Sequence, residues 1–272
     1  MSNYAVMPLS DYDAICNHLR KIANTTSDIK SGEICGLIPT RTGGSISDGI
    51  VIKRRDENGR PTAVDVYGTE LQYYMFGRAG ADYPYPWAAL EAVSFVNNSD
   101  ITVLPKGLFR RNTTLRGEYS FPNVASCDGG IGSGLEGTFQ ETLISKLSIG
   151  KLETIPNLFC RGCSALTEVY LPYAKTVTNG GYSAFGSCTA LETIQLGSIG
   201  HALEEIDRYA FDGTTQSGLT VTAYCKGAYA DSALSRIRNS ATNATVIIKA
   251  SEDTTYNGVI YLAGEALITS IV

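Results

Sequence analysis

The sequence predicts a mostly β fold with short helices, built as a solenoid of stacked coils, and three observations carry that expectation. Phe109, Phe139, Phe159, Phe185 and Phe211 recur at intervals of 30, 20, 26 and 26 residues. The clearest copies, LFCRGCSALTEVYLP from Leu158 and AFGSCTALETIQLG from Ala184, share Phe, a small or Cys position, Leu and then an alternating strand; AFDGTTQSGLTV from Ala210 is a degenerate third. With 43% hydrophobic and 18% charged residues, the 272-residue chain has the composition of an ordered protein with ample material for a core. A unit this small cannot bury its own apolar side, so copies must stack and share one interior.

Taken in order, residues 1–40 read as a small helical adaptor. Ser10 with Asp11 and Asp13 is an N-cap with an acidic first turn, Ile15, Leu19 and Ile22 follow at helical spacing, and Ile34, Leu37 and Ile38 form a second short helix ended by Pro39. Residues 41–68 contain GIVIKRRDENGRPTAVDVYG, two alternating strands around Asn58-Gly59, which reads as a β-hairpin linker. Residues 69–238 hold the array, which is expected to begin near Leu71, with LEAVSF from Leu90 as an early strand and GRAGADYPYPWAAL inserted after Phe76.

Several rings are preceded by a second apolar pair, such as Ile101 and Leu104, Leu152 and Ile155, or Leu203 and Ile206, so each coil carries two short apolar pieces. Alternation places Val169, Leu171, Ile194 and Leu196 inside while Tyr170 and Gln195 point out. Two spacings break the pattern: Phe139 to Leu143 is short, and Phe159 to Leu166 is one residue longer than Phe185 to Leu191. In VTAYCKGAYADSALSRIR, Tyr229, Ala233 and Ile237 share a helix face, giving a helical cap over the last coil. Residues 239–272 form a C-terminal β segment, TVIIKA and YNGVIYLAGEALITSIV, whose strands either extend the chain's own sheet or pair with another copy as a homo-oligomer.

These residues resemble the BspA-type leucine-rich repeats of bacterial surface and phage proteins, over residues 71–233. The segment ICNHLRKIANTTSDIKSGEICGLI is similar to the small helical segment at the start of many tailed-phage tail and virion proteins. The resemblance implies a non-enzymatic phage structural protein, tail-associated, that presents a leucine-rich-repeat surface for adhesion or receptor binding. Its implied partners are other virion proteins and a host cell-surface protein or glycan, and its implied location is the virion. The opening MSNYAVMPLSDYDAICNHLRK has no continuous apolar core of a secretory signal, so synthesis in the bacterial cytoplasm without a signal peptide is expected. The alternatives are a bacterial surface adhesin, for which a signal or anchor is expected, and an intracellular protein-interaction module of prophage origin.

The chemistry-bearing residues argue against catalysis. With 27 acidic and 22 basic residues and no basic block, neither nucleic acid nor a membrane is an expected partner, and no apolar run reaches the roughly 18 residues of a span. The two histidines, His18 and His201, leave few candidates for proton transfer. Cys160-Arg161-Gly162-Cys163 has the gap of half a zinc site, but no second pair completes it, and Cys163 and Cys188 fall on the small buried position of the repeat. The seven cysteines are therefore expected to be free.

GGIGSG from Gly129 lacks the strand and helix of a phosphate cradle, and Asp128 lacks a Ca²⁺ loop around it. Glu204-Glu205 and Glu252-Asp253 read as solvated charge. No metal or cofactor is expected. The candidate ligand-binding residues are Tyr83, Tyr85 and Trp87 in the aromatic insertion, near Tyr73 and Tyr74, together with Tyr170 and Gln195 on the strand face. For Trp87 a second reading stands beside the first, in which it roofs the first repeat.

Overall fold

The computed structural model describes residues 6–7, 49–67, 69, 71, 75–77, 87–127, 137–178, 182–214 and 218–271. The chain is a β-solenoid, mostly β, and its path is best followed coil by coil. A two-residue strand β1 (Val6–Met7) pairs antiparallel with β2 (Gly49–Arg55), which forms a hairpin with β3 (Pro61–Tyr67). At the hairpin tip Asp56 is the organiser: its Oδ1 accepts from the Asn58 and Arg60 N–H groups, and Gly59 takes φ 77°. The turn is thus longer than the expected two-residue Asn58-Gly59. β3 then pairs in parallel with β4 (Ala92–Phe95), so the hairpin and the first strand of the array form one four-stranded sheet in the order β1-β2-β3-β4.

From there each coil places one long strand, one two-residue strand and one Phe-bearing turn on three sides of a common interior. The succession is β5 (Val103–Leu104), β6 (Glu118–Phe121), β7 (Ser126–Cys127), β8 (Lys146–Ile149), β9 (Thr154–Ile155), β10 (Glu168–Leu171), β11 (Thr176–Val177), β12 (Thr193–Leu196), β13 (Glu205–Ile206) and β14 (Thr220–Cys225). After β14 the helix α1 (Ala230–Ser240) occupies the place of the short strand and turn. β15 (Thr245–Ala250) follows, then the hairpin β16 (Thr254–Tyr256) and β17 (Val259–Tyr261), and β18 (Ala266–Ile271).

The long strands form a seven-stranded wall in the order β18-β15-β14-β12-β10-β8-β6, parallel except for β18, which runs antiparallel to β15. β13, β11 and β9 form the second wall. The C-terminal strands extend the chain's own sheet: β15 is in register with β14 over six residues, and β18 pairs with β15.

The interior is one continuous column. Phe76, Phe109, Phe139, Phe159, Phe185 and Phe211 are all fully buried, with successive ring centroids 5.7, 5.6, 5.4, 6.4 and 5.7 Å apart. The inward strand positions, among them Leu147, Val169, Leu171, Ile194, Leu196 and Val221, fill the opposite side. In the short-spaced coil it is Ile144, fully buried, that points inward, whereas Leu143 is half-buried.

The longer Phe159 spacing has a backbone explanation. In successive turns the N–H of Phe109, Phe139, Cys160 and Phe185 donates to the carbonyls of Thr138, Phe159, Ala184 and Ala210. Cys160 therefore holds the backbone place that Phe holds elsewhere. Phe159 enters one residue early, behind a left-handed Leu158 (φ 59°), and meets Phe139 and Phe185 edge-on at 88° and 89°. Counted from Cys160, the interval to Leu166 equals that from Phe185 to Leu191.

Two positions of every turn now align. Two residues past the ring position the backbone is left-handed at Arg111, Glu141, Gly162, Ser187 and Gly213. One residue further sit Asn112, Thr142, Cys163, Cys188 and Thr214, all buried. Asn112 Nδ2 donates to Phe76 O (3.3 Å), Cys163 Sγ to Phe139 O (3.0 Å), Cys188 Sγ to Cys160 O (3.1 Å) and Thr214 Oγ1 to Phe185 O (2.8 Å). At these four places the position supplies a compact donor to a buried carbonyl of the preceding coil, whereas Thr142 Oγ1 donates to Phe139 O of its own turn (2.9 Å). The shared need is a small side chain that can donate, which is why Asn, Thr and Cys interchange there.

Two strand ends are closed by side chains. Val93 N–H donates to the Tyr119 hydroxyl (3.2 Å), whose burial pushes its pKa up and keeps it protonated, and Asn98 Nδ2 donates to Ser120 O in β6. At the end of the second wall, Ile206 N–H donates to the Tyr229 hydroxyl (2.9 Å) and Ile206 O accepts from Arg236 Nη1 (3.2 Å). α1 thus packs Ala230, Ala233 and Ile237 against the core and supplies polar partners to β13.

Candidate binding face

Strand alternation turns every second side chain of the seven-stranded wall outward, and parallel register lines these up in rows. Glu118, Lys146, Glu168, Thr193, Thr220 and Thr245 make one row; Ser120, Ser148, Tyr170, Gln195, Thr222 and the half-buried Ile247 make the next. Tyr170 and Gln195, singled out in the sequence, are therefore direct neighbours on adjacent strands.

The first row opens with a charged triplet. Lys146 Nζ lies 3.6 Å from Glu118 Oε1 and 3.4 Å from Glu168 Oε2. The Glu118 charge, then the bond and charge of Glu168, hold the ammonium above its ordinary pKa. All three side chains are about half exposed, so this ordering adds little to stability. In the second row Tyr170 is 41% exposed, and Gln195 Nε2 donates to Gly197 O (3.0 Å). Further along the same face Lys249 Nζ lies 5.7 Å from the Tyr224 ring centroid. The surface offers two tyrosine rings on a regular field of hydroxyl, amide and charged groups, which suits stacking and hydrogen bonding to another polar surface.

The aromatic insertion contributes differently. Trp87 is only 3% exposed and packs 5.2 Å from Phe76 at 64°, so it covers the first ring of the ladder and leaves almost no surface for a ligand. A large apolar ring above an open stack gains more from burial than from exposure. Tyr83 and Tyr85 lie outside the described residues, as do Tyr73, Tyr74, the Gly129 to Gly134 run and, apart from the strand Val6–Met7, the helical adaptor of residues 1–40.

A second concavity escaped the sequence reading. A groove of about 600 Å³ is lined by Ser126, Cys127, Lys151, Glu153, Thr154 and Tyr173, among others. Tyr173 stacks on His201 with centroids 3.7 Å apart, and Lys175 pairs with Glu153 at 2.8 Å. Nothing in the repeat pattern marks Tyr173, because it follows the strand whose periodicity defines the coil.

The thiols offer little chemistry. Cys127, Cys160, Cys163, Cys188 and Cys225 are free. Burial pushes Cys225 up to about 12 and Cys160 and Cys188 well above the ordinary thiol value. Cys127 is half-buried as a residue, but its thiol packs against the core and is likewise pushed up to about 12 by desolvation. Cys163 departs from the other four: desolvation raises its thiol, but hydrogen bonds with Cys160 and Thr142 outweigh that and lower it from the ordinary value. The four thiols held protonated are poor nucleophiles and poor metal ligands. Among the described residues no group of three or more His, Cys, Asp or Glu could hold a metal ion, and no helix is long and apolar enough to cross a membrane. Glu204, Glu205, Glu252 and Asp253 are exposed, with Glu252 3.6 Å from Lys226. No protein-family model, curated protein or solved structure matches the chain.

Proposed function

We propose that this chain is a non-enzymatic scaffold of the BspA leucine-rich-repeat type, a tail-associated phage structural protein whose solenoid is capped by α1 and displays its long-strand wall to the host. The observation that carries the reading is the outer face itself, where Tyr170 and Gln195 stand together on a rigid polar sheet. A ladder of buried rings behind that sheet fixes the spacing of the exposed groups, so a ligand would bind without ordering the surface first. The ligand class is a host cell-surface protein or glycan, other virion proteins hold the particle end, and display in many copies would multiply a weak single contact.

Two measurements test this. Mass spectrometry of purified phage particles is expected to find peptides of the chain; their absence removes the structural role. Purified protein is expected to bind intact bacterial cells or an immobilised panel of their surface polysaccharides, and Tyr170→Ala with Gln195→Ala is expected to lower that binding at least about tenfold, equivalent to about 1.4 kcal/mol. Binding left unchanged by both substitutions moves the contact off this face.

A further inference from the structure

We propose that the chain forms a two-fold dimer in which β18 of one copy pairs antiparallel with β18 of another, joining two seven-stranded walls into one sheet. β18 is the edge strand of the wall. The direction of its backbone groups follows from its neighbours. Thr245 N–H donates to Leu219 O on the β14 side, so Val246 and Ile248 turn their backbone groups toward β18, where they face Ser270 and Ile268. Thr269 and Ile271 consequently present N–H and C=O to the open edge.

Proteins protect such edges with charge, proline or a covering segment. Ala266–Ile271 contains neither a charged residue nor a proline. A neutral strand also meets its own copy without placing like charges opposite each other, which a strand bearing a lysine or glutamate would not do. The contrast with the closed ends is direct: β6 and β13 have side-chain partners from Asn98, Tyr229 and Arg236.

Exposed apolar side chains gather at this end of the molecule. Ile271 is 83% exposed, Ile260 75%, Leu262 58% and Val259 53%, all within the last fourteen residues before Val272. Ile271, on the strand that pairs, supplies apolar burial at the joint itself. The second copy is thus recognised by main-chain hydrogen bonds and the apolar side chain of Ile271. The inference stands independently of whether the outer face binds a host.

The test is sedimentation velocity and light scattering of the full chain at micromolar concentrations, where a dimer is expected. Thr269→Pro removes an N–H that the chain's own sheet does not use and blocks strand addition, so it is expected to give a monomer with unchanged circular dichroism. Ile271→Lys, at an exposed site, is expected to do the same and decides the matter if the proline variant fails to fold. A monomeric wild-type chain, a higher oligomer, or a dimer that survives both substitutions would overturn the proposal.

Discussion

Phe139 is the position at which the shared interior can be measured. Its ring is fully buried and meets three others, Phe109 at 5.6 Å, Phe121 at 6.3 Å and Phe159 at 5.4 Å. Truncation to alanine removes burial and leaves a cavity in a stack that cannot collapse sideways, so Phe139→Ala is expected to cost about 3–5 kcal/mol. Phe139→Leu keeps most of the burial but loses the ring contacts. At about 0.5 kcal/mol or more for each of three contacts, it is expected to cost at least about 1.5 kcal/mol. Urea unfolding read by circular dichroism reports both, with the slope showing whether unfolding remains one transition.

A double-mutant cycle isolates the ladder. Phe139→Leu and Phe109→Leu touch the same stacked pair and are expected to couple. Phe139→Leu and Phe211→Leu make no ring contact with each other, and their costs are expected to add within about 0.5 kcal/mol. A cost below about 1 kcal/mol for Phe139→Ala, or equal coupling for near and distant pairs, would refute a column stabilised by neighbouring coils.

Ser187→Gly relieves a left-handed backbone (φ 58°) that costs a non-glycine residue about 1–2 kcal/mol, and part of the gain is offset by the entropy of the new glycine. A rise of up to about 1 kcal/mol in unfolding free energy is expected. Thr214→Val keeps the shape but strips Phe185 O of its donor and Cys188 N–H of its acceptor, and thermal melts are expected to show a loss of about 1–3 kcal/mol. Gly137→Ala would place a methyl 1.8 Å from Leu158 O, so a marked drop in melting temperature is expected. Alkali gives a signed test. The folded Cys225 thiol resists ionisation to about 12 against an ordinary 9.0, so the unfolded chain ionises first and stability falls as pH rises through that window. Urea midpoints measured on either side of pH 9 are expected to show the fall, and Cys225→Ala is expected to make it shallower, with Cys127, Cys160 and Cys188 carrying the remainder.

The coil repeat was legible because two signals coincide in it, an aromatic recurring at a near-constant interval and a period-two strand after it. Val169, Ile194 and their partners could be placed inside, and Tyr170 and Gln195 outside, from alternation alone. The exact register was not legible, because a Phe at residue 159 masks the fact that Cys160 occupies the ring's backbone place. The polar column was also hidden: Asn112, Thr142, Cys163, Cys188 and Thr214 share no hydrophobicity, only size and the ability to donate. β15 read correctly as a strand, but its place as a further rung depended on α1 substituting for a turn, which local periodicity does not encode. The groove beside Tyr173 arises between coils and leaves no mark within any one of them.

Because Cys160 and Phe185 are equivalent points of the backbone path, the stretch from Phe159 to Ser183 is a removable module. Excising it would splice one winding out and bring Leu158 directly before Ala184, so the joined turn keeps a single ring and hydrogen-bonding partners of matching type on each side of the junction. The length of the molecule, and with it the reach of whatever it displays, can then change by whole windings through deletion or duplication without redesign of the ends.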